Sequence, residues 1–146
     1  MIDPITLQDR ADDVMPSVVG LHHCGLTVTD VDASVQWYSR VFGFETVMSE
    51  PHDGGFAVVL NRPGTALFLG LHRHDRNDGV PGDETATGLD HIAFHVPDRA
   101  SIDSWVARLD DLGIAHGELT EASKPFPFAL VVFRDPDNIQ LEVIWS

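Results

Sequence analysis

Leu21-His22-His23-Cys24-Gly25-Leu26-Thr27-Val28-Thr29-Asp30 and Leu89-Asp90-His91-Ile92-Ala93-Phe94-His95-Val96-Pro97-Asp98 fall into step when the chain is shifted by 68 residues. Leucine, histidine, valine and aspartate recur at matching places, and the same shift pairs Trp37 with Trp105 and Arg40 with Arg108. Agreement over about 20 residues marks a duplicated module. Within each stretch polar and apolar residues alternate, the signature of a strand with one buried face. Cys24, Leu26 and Val28 share one side in the first copy, and Ile92, Phe94 and Val96 share it in the second. His23 and His91 then lie on the other side.

A helix is expected after each strand. Asp30 or Asp32 can cap the first, which buries Trp37, Val41 and Tyr38 or Phe42. Asp98 or Ser101 can cap the second, whose Ile102, Trp105, Val106, Leu109 and Leu112 form one apolar stripe. Gly43 and Gly113 close the two helices. Three strands follow in each copy, expected at Phe44–Ser49, Phe56–Asn61 and Ala66–His72, then at Ile114–Leu119, Ala129–Arg134 and Ile139–Trp145. They are separated by the turns Pro51–Gly55, Arg62–Gly64, Pro125–Pro127 and Asp135–Asn138. The expected organisation is an N-terminal arm over 1–18, a βαβββ module over 19–72, a polar linker over 73–87 and a second βαβββ module over 88–146. The arm reads as mobile, or as a segment that orders against a partner subunit.

The 146 residues are 43% hydrophobic, enough to bury a core. A formal charge of −14, from 23 acidic and 9 basic residues, argues against nucleic acid and anionic membranes as partners. The single cysteine, Cys24, cannot form an intrachain disulfide, and a reducing compartment is the simpler expectation. No apolar run reaches the roughly 18–20 residues needed to cross a bilayer, and the N-terminus lacks the pattern of a signal peptide. A cytoplasmic protein is expected.

The duplicated βαβββ order, the histidine opening each module and the ending Phe133-Arg134-Asp135-Pro136-Asp137-Asn138-Ile139-Gln140-Leu141-Glu142 together resemble the vicinal-oxygen-chelate superfamily. This is also called the glyoxalase/bleomycin-resistance/dioxygenase superfamily. The resemblance covers about residues 19–146. Asn138 stands where the family usually has glycine, and asparagine also tolerates positive φ. The resemblance implies an α+β fold, an open half-barrel mixed sheet around a metal cleft with helices outside. It also implies one divalent metal held by His23, His91 and Glu142, with Gln140, Glu142 and Ile144 toward the cleft.

A fourth family position, often glutamate or glutamine, falls at Gly70, or at Leu69 if the alignment slips by one. Neither offers a ligand atom. That departure disfavours a glyoxalase or epimerase, which usually have four protein ligands. It favours a two-histidine, one-carboxylate site with open positions. The implied function is a metal-dependent enzyme whose small-molecule substrate chelates the ion through neighbouring oxygens, with an extradiol-type dioxygenase as the favoured type. Fe2+ is the favoured metal, with Mn2+, Zn2+, Ni2+ or Co2+ as alternatives. The other readings are a glyoxalase-like lyase or isomerase, a thiol transferase, and a non-catalytic antibiotic-binding protein. His95 and His72 are candidates for proton transfer. Phe126 and Phe128 are candidates for a pocket wall. A homodimer is expected, with the metal ligands drawn from one chain or across the dimer.

Overall fold

A computed structural model describes residues 16–146 of the chain. The first module runs β1 (Cys24–Thr27), α1 (Val31–Phe42), β2 (Glu45–His52), β3 (Gly55–Asn61) and β4 (Phe68–His74). The second runs β5 (His91–His95), α2 (Arg99–Asp111), β6 (Thr120–Ala122), β7 (Phe128–Arg134) and β8 (Gln140–Trp145). Each forms a four-stranded sheet, in the order β1-β4-β3-β2 and β5-β8-β7-β6. The helix crossover makes the β1/β4 and β5/β8 pairs parallel, while the hairpin connections make the others antiparallel. The result is the expected pair of open mixed sheets with two helices.

Local chemistry explains the helix limits. The Asp30 carboxylate accepts from the Ala33 N–H at 3.0 Å, and the Asp98 carboxylate accepts from the Ser101 N–H at 2.8 Å. Gly43 closes α1 in the left-handed conformation at φ 75°. Alternation holds on the strands too. Leu26, Phe94, Leu141 and Val143 are buried, while Gly25, Thr27, His91, Ala93 and His95 are exposed on the other face.

The strand expected at 66–72 is observed two residues later, at Phe68–His74, and two others differ more. The turn expected at Pro51 starts later, because β2 continues through Pro51 to His52. β2 is an edge strand, where proline's missing N–H removes no ladder bond. The strand expected at 114–119 is absent. There the Ile114 N–H still bonds back to the helix at Leu109, only His116 bridges to Phe133, and the short β6 begins at Thr120. The arm expected over 1–18 lies largely outside the described residues.

The modules share one core. The Phe42 ring lies 4.5 Å from Phe94 and 5.0 Å from Trp105, and Trp37 lies 6.4 Å from Phe133. Each large apolar side chain removed from water here contributes about 1.5–3 kcal/mol. The Arg108 guanidinium donates to the Val41 and Arg40 carbonyls at 2.8 and 2.5 Å, neutralising the C-terminal end of α1. The Asp-Pro-Asp turn adds a polar clasp. The Tyr38 hydroxyl donates to Asp135 at 2.9 Å. Thr29 donates to Asp137 through its N–H at 3.1 Å and its hydroxyl at 2.5 Å. Asp135 also accepts from the Asp137 and Ile139 N–H groups, and Asn138 turns the chain at φ 65°. The linker is tied down as well: Glu84 pairs with both Arg134 terminal nitrogens at 2.6 and 2.9 Å, and Arg134 holds its carboxyl down at about 2.

Candidate metal centre

Strand register decides which side chains meet. In module two Ala93 pairs with Glu142, two residues along from His91. The His91 Nε2 lies 3.8 Å from the Glu142 Oε1. The Asp90 carboxylate sits 2.5 Å from the His91 Nδ1. An ionised carboxylate only accepts, so Nδ1 carries a proton, and in the neutral ring Nε2 is the lone-pair nitrogen facing Glu142. Carboxylate, histidine and an open lone pair in series are the arrangement that orients a metal-ligating imidazole. Two donors 3.8 Å apart need to close only slightly to share an ion at about 2.0–2.2 Å from each. The same neighbours, Asp90 first, raise the His91 pKa against the opposing effect of burial.

Module one is built differently at the equivalent place. Gly25, which matches Ala93 in the repeat, pairs with Gly70. Gly70 therefore occupies the register position of Glu142, while Leu69 points into the core at 3% exposure. His72 fills the space left open: its Nε2 lies 3.0 Å from where a Cβ on Gly70 would stand. Burial, and then the neighbouring His52, His74 and His23, lower the His72 pKa.

His23 lies just before β1 rather than within it, with its Nδ1 2.9 Å from the Nδ1 of His22. The His22 ring stacks on Phe68 at 5.8 Å. Among the described residues, the three side chains whose ligand atoms all approach within 4.8 Å are His52, His72 and His74. The single chain thus brings His91 to Glu142 but leaves His23 apart from that pair. His95 is exposed on the His91 face of β5, two strand positions beyond the Ala93–Glu142 pair. Phe126 is exposed, and its ring lies 6.2 Å from that of half-buried Phe128.

Sequence reading missed His52 and the Asp135–Tyr38 contact. Alternation along β4 puts His72 and His74 on one face, but only the hairpin register places His52 beside them.

A family model for the glyoxalase/bleomycin resistance protein/dioxygenase superfamily matches residues 20–143. The chain belongs to that superfamily. A glyoxylase/bleomycin resistance protein/dioxygenase domain from Frankia sp. EAN1pec superposes with a TM-score of 0.79. The two are 33% identical, over 89% of this chain and 93% of that one. Catechol-2,3-dioxygenase of Bacillus subtilis is 28% identical over 118 residues, 81% of this chain and 38% of its own length. A trivalent organoarsenical cleaving enzyme of Bacillus sp. MD1 is 28% identical over 127 residues, 85% of this chain and 71% of its own. The chain spans about two fifths of the length of the ring-cleaving relatives it matches. The relatives are enzymes acting on small molecules, and no helix among the described residues is long and apolar enough to cross a membrane.

Proposed function

We propose that the chain is a metal-dependent enzyme of the extradiol ring-cleaving type, with His23, His91 and Glu142 as the protein ligands of one divalent ion, Fe2+ above others. The observation that carries this reading is the Asp90–His91–Glu142 series. It presents an oriented imidazole lone pair beside a half-buried carboxylate and leaves the rest of a coordination sphere to other donors. When bound, the ion supplies Lewis acidity and, as Fe2+, redox chemistry with dioxygen.

The chain's own residues do the remaining work. Asp90 fixes the tautomer of His91. Gly25 and Gly70 offer no ligand atom where a fourth protein ligand would stand, which leaves that coordination position to a substrate with two neighbouring oxygens. His72, whose pKa is lowered by burial and then by its histidine neighbours, can accept a proton, and His95 can move one at the far end of β5. In this reading residues 19–146 act as one unit.

The site is completed by a second copy of the chain, His23 of one meeting His91 and Glu142 of the other. His23 lacks that pair within its own chain, and it follows Val18, Val19 and Leu21, which are 87%, 103% and 87% exposed. Apolar residues in a row beside a ligand suit burial against a partner. A homodimer in a reducing cytoplasm fits these features.

Cleavage of an organoarsenical, named for one relative, fits the same ligands and is the second reading. Trivalent arsenic prefers soft thiolates, however, and the one thiol, Cys24, is half-buried with its pKa raised by that burial. The test is anaerobic Fe2+ loading followed by a catechol panel with oxygen uptake recorded. Ring cleavage that disappears in Glu142→Ala supports the assignment. Fe2+-loaded protein that consumes no oxygen with any catechol overturns the dioxygenase.

A further inference from the structure

We infer that His52, His72 and His74 form a second metal site, built wholly within module one and separate from the His91–Glu142 pair. β4 supplies His72 and His74 on one face, and the β2–β3 hairpin brings His52 across to them, since Gly55 pairs with both His52 and His74. The ring centroids lie 5.6 Å (His52–His72), 5.2 Å (His52–His74) and 6.1 Å (His72–His74) apart. One ligand nitrogen from each lies within 4.8 Å of the others. Three nitrogens around a tetrahedral ion sit roughly 3.3 Å apart at about 2.0–2.1 Å from the metal, so small side-chain rotations close the site.

The strongest sign that this is a site rather than a crowd is His52. Its Nδ1 lies 3.1 Å from the Asp53 carbonyl oxygen, which only accepts, so the proton is on Nδ1. Nε2 is then the lone-pair nitrogen. It is buried and has no hydrogen-bond partner among the described residues. A buried lone pair without a donor costs stability, and a cation removes that cost. A backbone carbonyl holding the far nitrogen is also how ligating histidines are oriented.

Two glycines make the room. A Cβ on Gly55 would stand 2.5 Å from the His52 ring and 2.2 Å from the Arg73 carbonyl, and the Gly70 position is the one His72 overlies. Glycine at position 70 thus leaves the space that His72 of the cluster occupies. Burial, and then the neighbouring histidines, lower the His72 pKa, which favours the neutral form that a ligand needs. All-imidazole donors suit a borderline ion such as Zn2+. With that ion bound, the His72 lone pair is committed and His95 is left to carry protons in the catalytic reading.

The test is Zn2+ titration of tag-free, chelator-stripped full-length protein by calorimetry, with Co2+ as a spectroscopic substitute. Wild type should bind two equivalents per chain, and His91→Ala/Glu142→Ala should retain one, with the visible bands of four-coordinate Co2+. His52→Ala/His74→Ala should lose that equivalent and keep the other. His74→Gln, at an exposed position, covers the case in which the double variant misfolds, and should weaken the second site at least tenfold. One equivalent in wild type that survives in His91→Ala/Glu142→Ala supports this site while sinking the catalytic one. No binding in His91→Ala/Glu142→Ala, or unchanged binding in His52→Ala/His74→Ala and His74→Gln, overturns the histidine site.

Discussion

The two modules share strand order, pairing direction and a helix capped by aspartate, yet they differ wherever chemistry is at stake. In module two the opening histidine lies inside the strand, oriented by Asp90 and facing Glu142 at 3.8 Å. In module one the opening histidine lies before the strand, its neighbour is His22, and glycine stands where the carboxylate would be. Duplication explains how this is tolerated. The core face of each sheet must keep its apolar alternation for the fold to stand, while the opposite face is free to diverge. In the reading proposed above, module two carries a ligand pair, whereas module one has glycine at the matching place and a histidine cluster beside it.

If that contrast is right, the largest effect should come from module two's ligands. His91→Ala or Glu142→Ala should weaken metal binding at that pair by on the order of 100-fold or more, with folding intact by circular dichroism. His72→Ala should leave the affinity of that pair unchanged. Equal losses from all three would erase the distinction between modules.

Asp90→Asn sharpens the comparison, because its counterpart in module one, His22, cannot hold a ring as a carboxylate does. The substitution should lower metal affinity about 10–100-fold while all three ligands remain. Affinity equal to wild type would mean that Asp90 does not orient His91.

The clasp between modules is equally one-sided. Asp135 and Asp137 reach from module two into module one, whereas the matching turn in module one, Arg62-Pro63-Gly64, offers no carboxylate. Tyr38→Phe should cost about 1–3 kcal/mol in denaturant unfolding, since it strips a buried carboxylate of a donor. Burial, with Asp135 next, pushes the Tyr38 hydroxyl far up. An unfolded tyrosine ionises near 10, so this contribution is complete below about pH 10 and declines as pH rises beyond it. Tyr38 is the chain's one tyrosine, so tyrosinate absorbance should rise only together with unfolding. Absorbance that rises near pH 10 in folded protein would show the clasp to be open.

Gly70→Glu should have the smallest effect and the opposite sign. It restores the missing carboxylate and should tighten metal at the His23 site about tenfold, or ~1.4 kcal/mol. Any oxygen-dependent turnover should fall as a vacant position closes. The new Cβ presses at 3.0 Å on the His72 ring, a side chain able to move aside, and otherwise makes an ordinary 3.8 Å contact with the Gly25 Cα. A well-folded variant with unchanged affinity would show that module one does not face the ion.

Much of this was legible in the sequence. The repeat gave the βαβββ order because alternation and helical periodicity survive duplication, and Asp30, Asp98 and Gly43 announced the helix limits. Gly70 was legible only up to a slip of one residue, which the pairing of Gly25 with Gly70 removes. Pro51 misled because a turn former is harmless on an edge strand, and edge position is a property of the sheet. The segment 114–119 alternates like a strand, but a helix-end hydrogen bond claims Ile114 before the sheet does. His52 was invisible for a related reason: its partners lie 20 and 22 residues away and meet it only through hairpin register.

The central claim, one metal shared between His23 of one chain and the His91–Glu142 pair of another, is tested most directly by mixing variants. His23→Ala and His91→Ala proteins each lack one ligand in every site. When the two are co-refolded, half the dimers are hybrids in which one of two sites is intact, so tightly bound metal should return to about a quarter of the wild-type level at that site. Elemental analysis of the mixture, in a His52→Ala/His74→Ala background, reads this without interference from the second cluster. Recovery to that level, with none in either variant alone, is the predicted result. No recovery from a mixture that demonstrably exchanges subunits would contradict it.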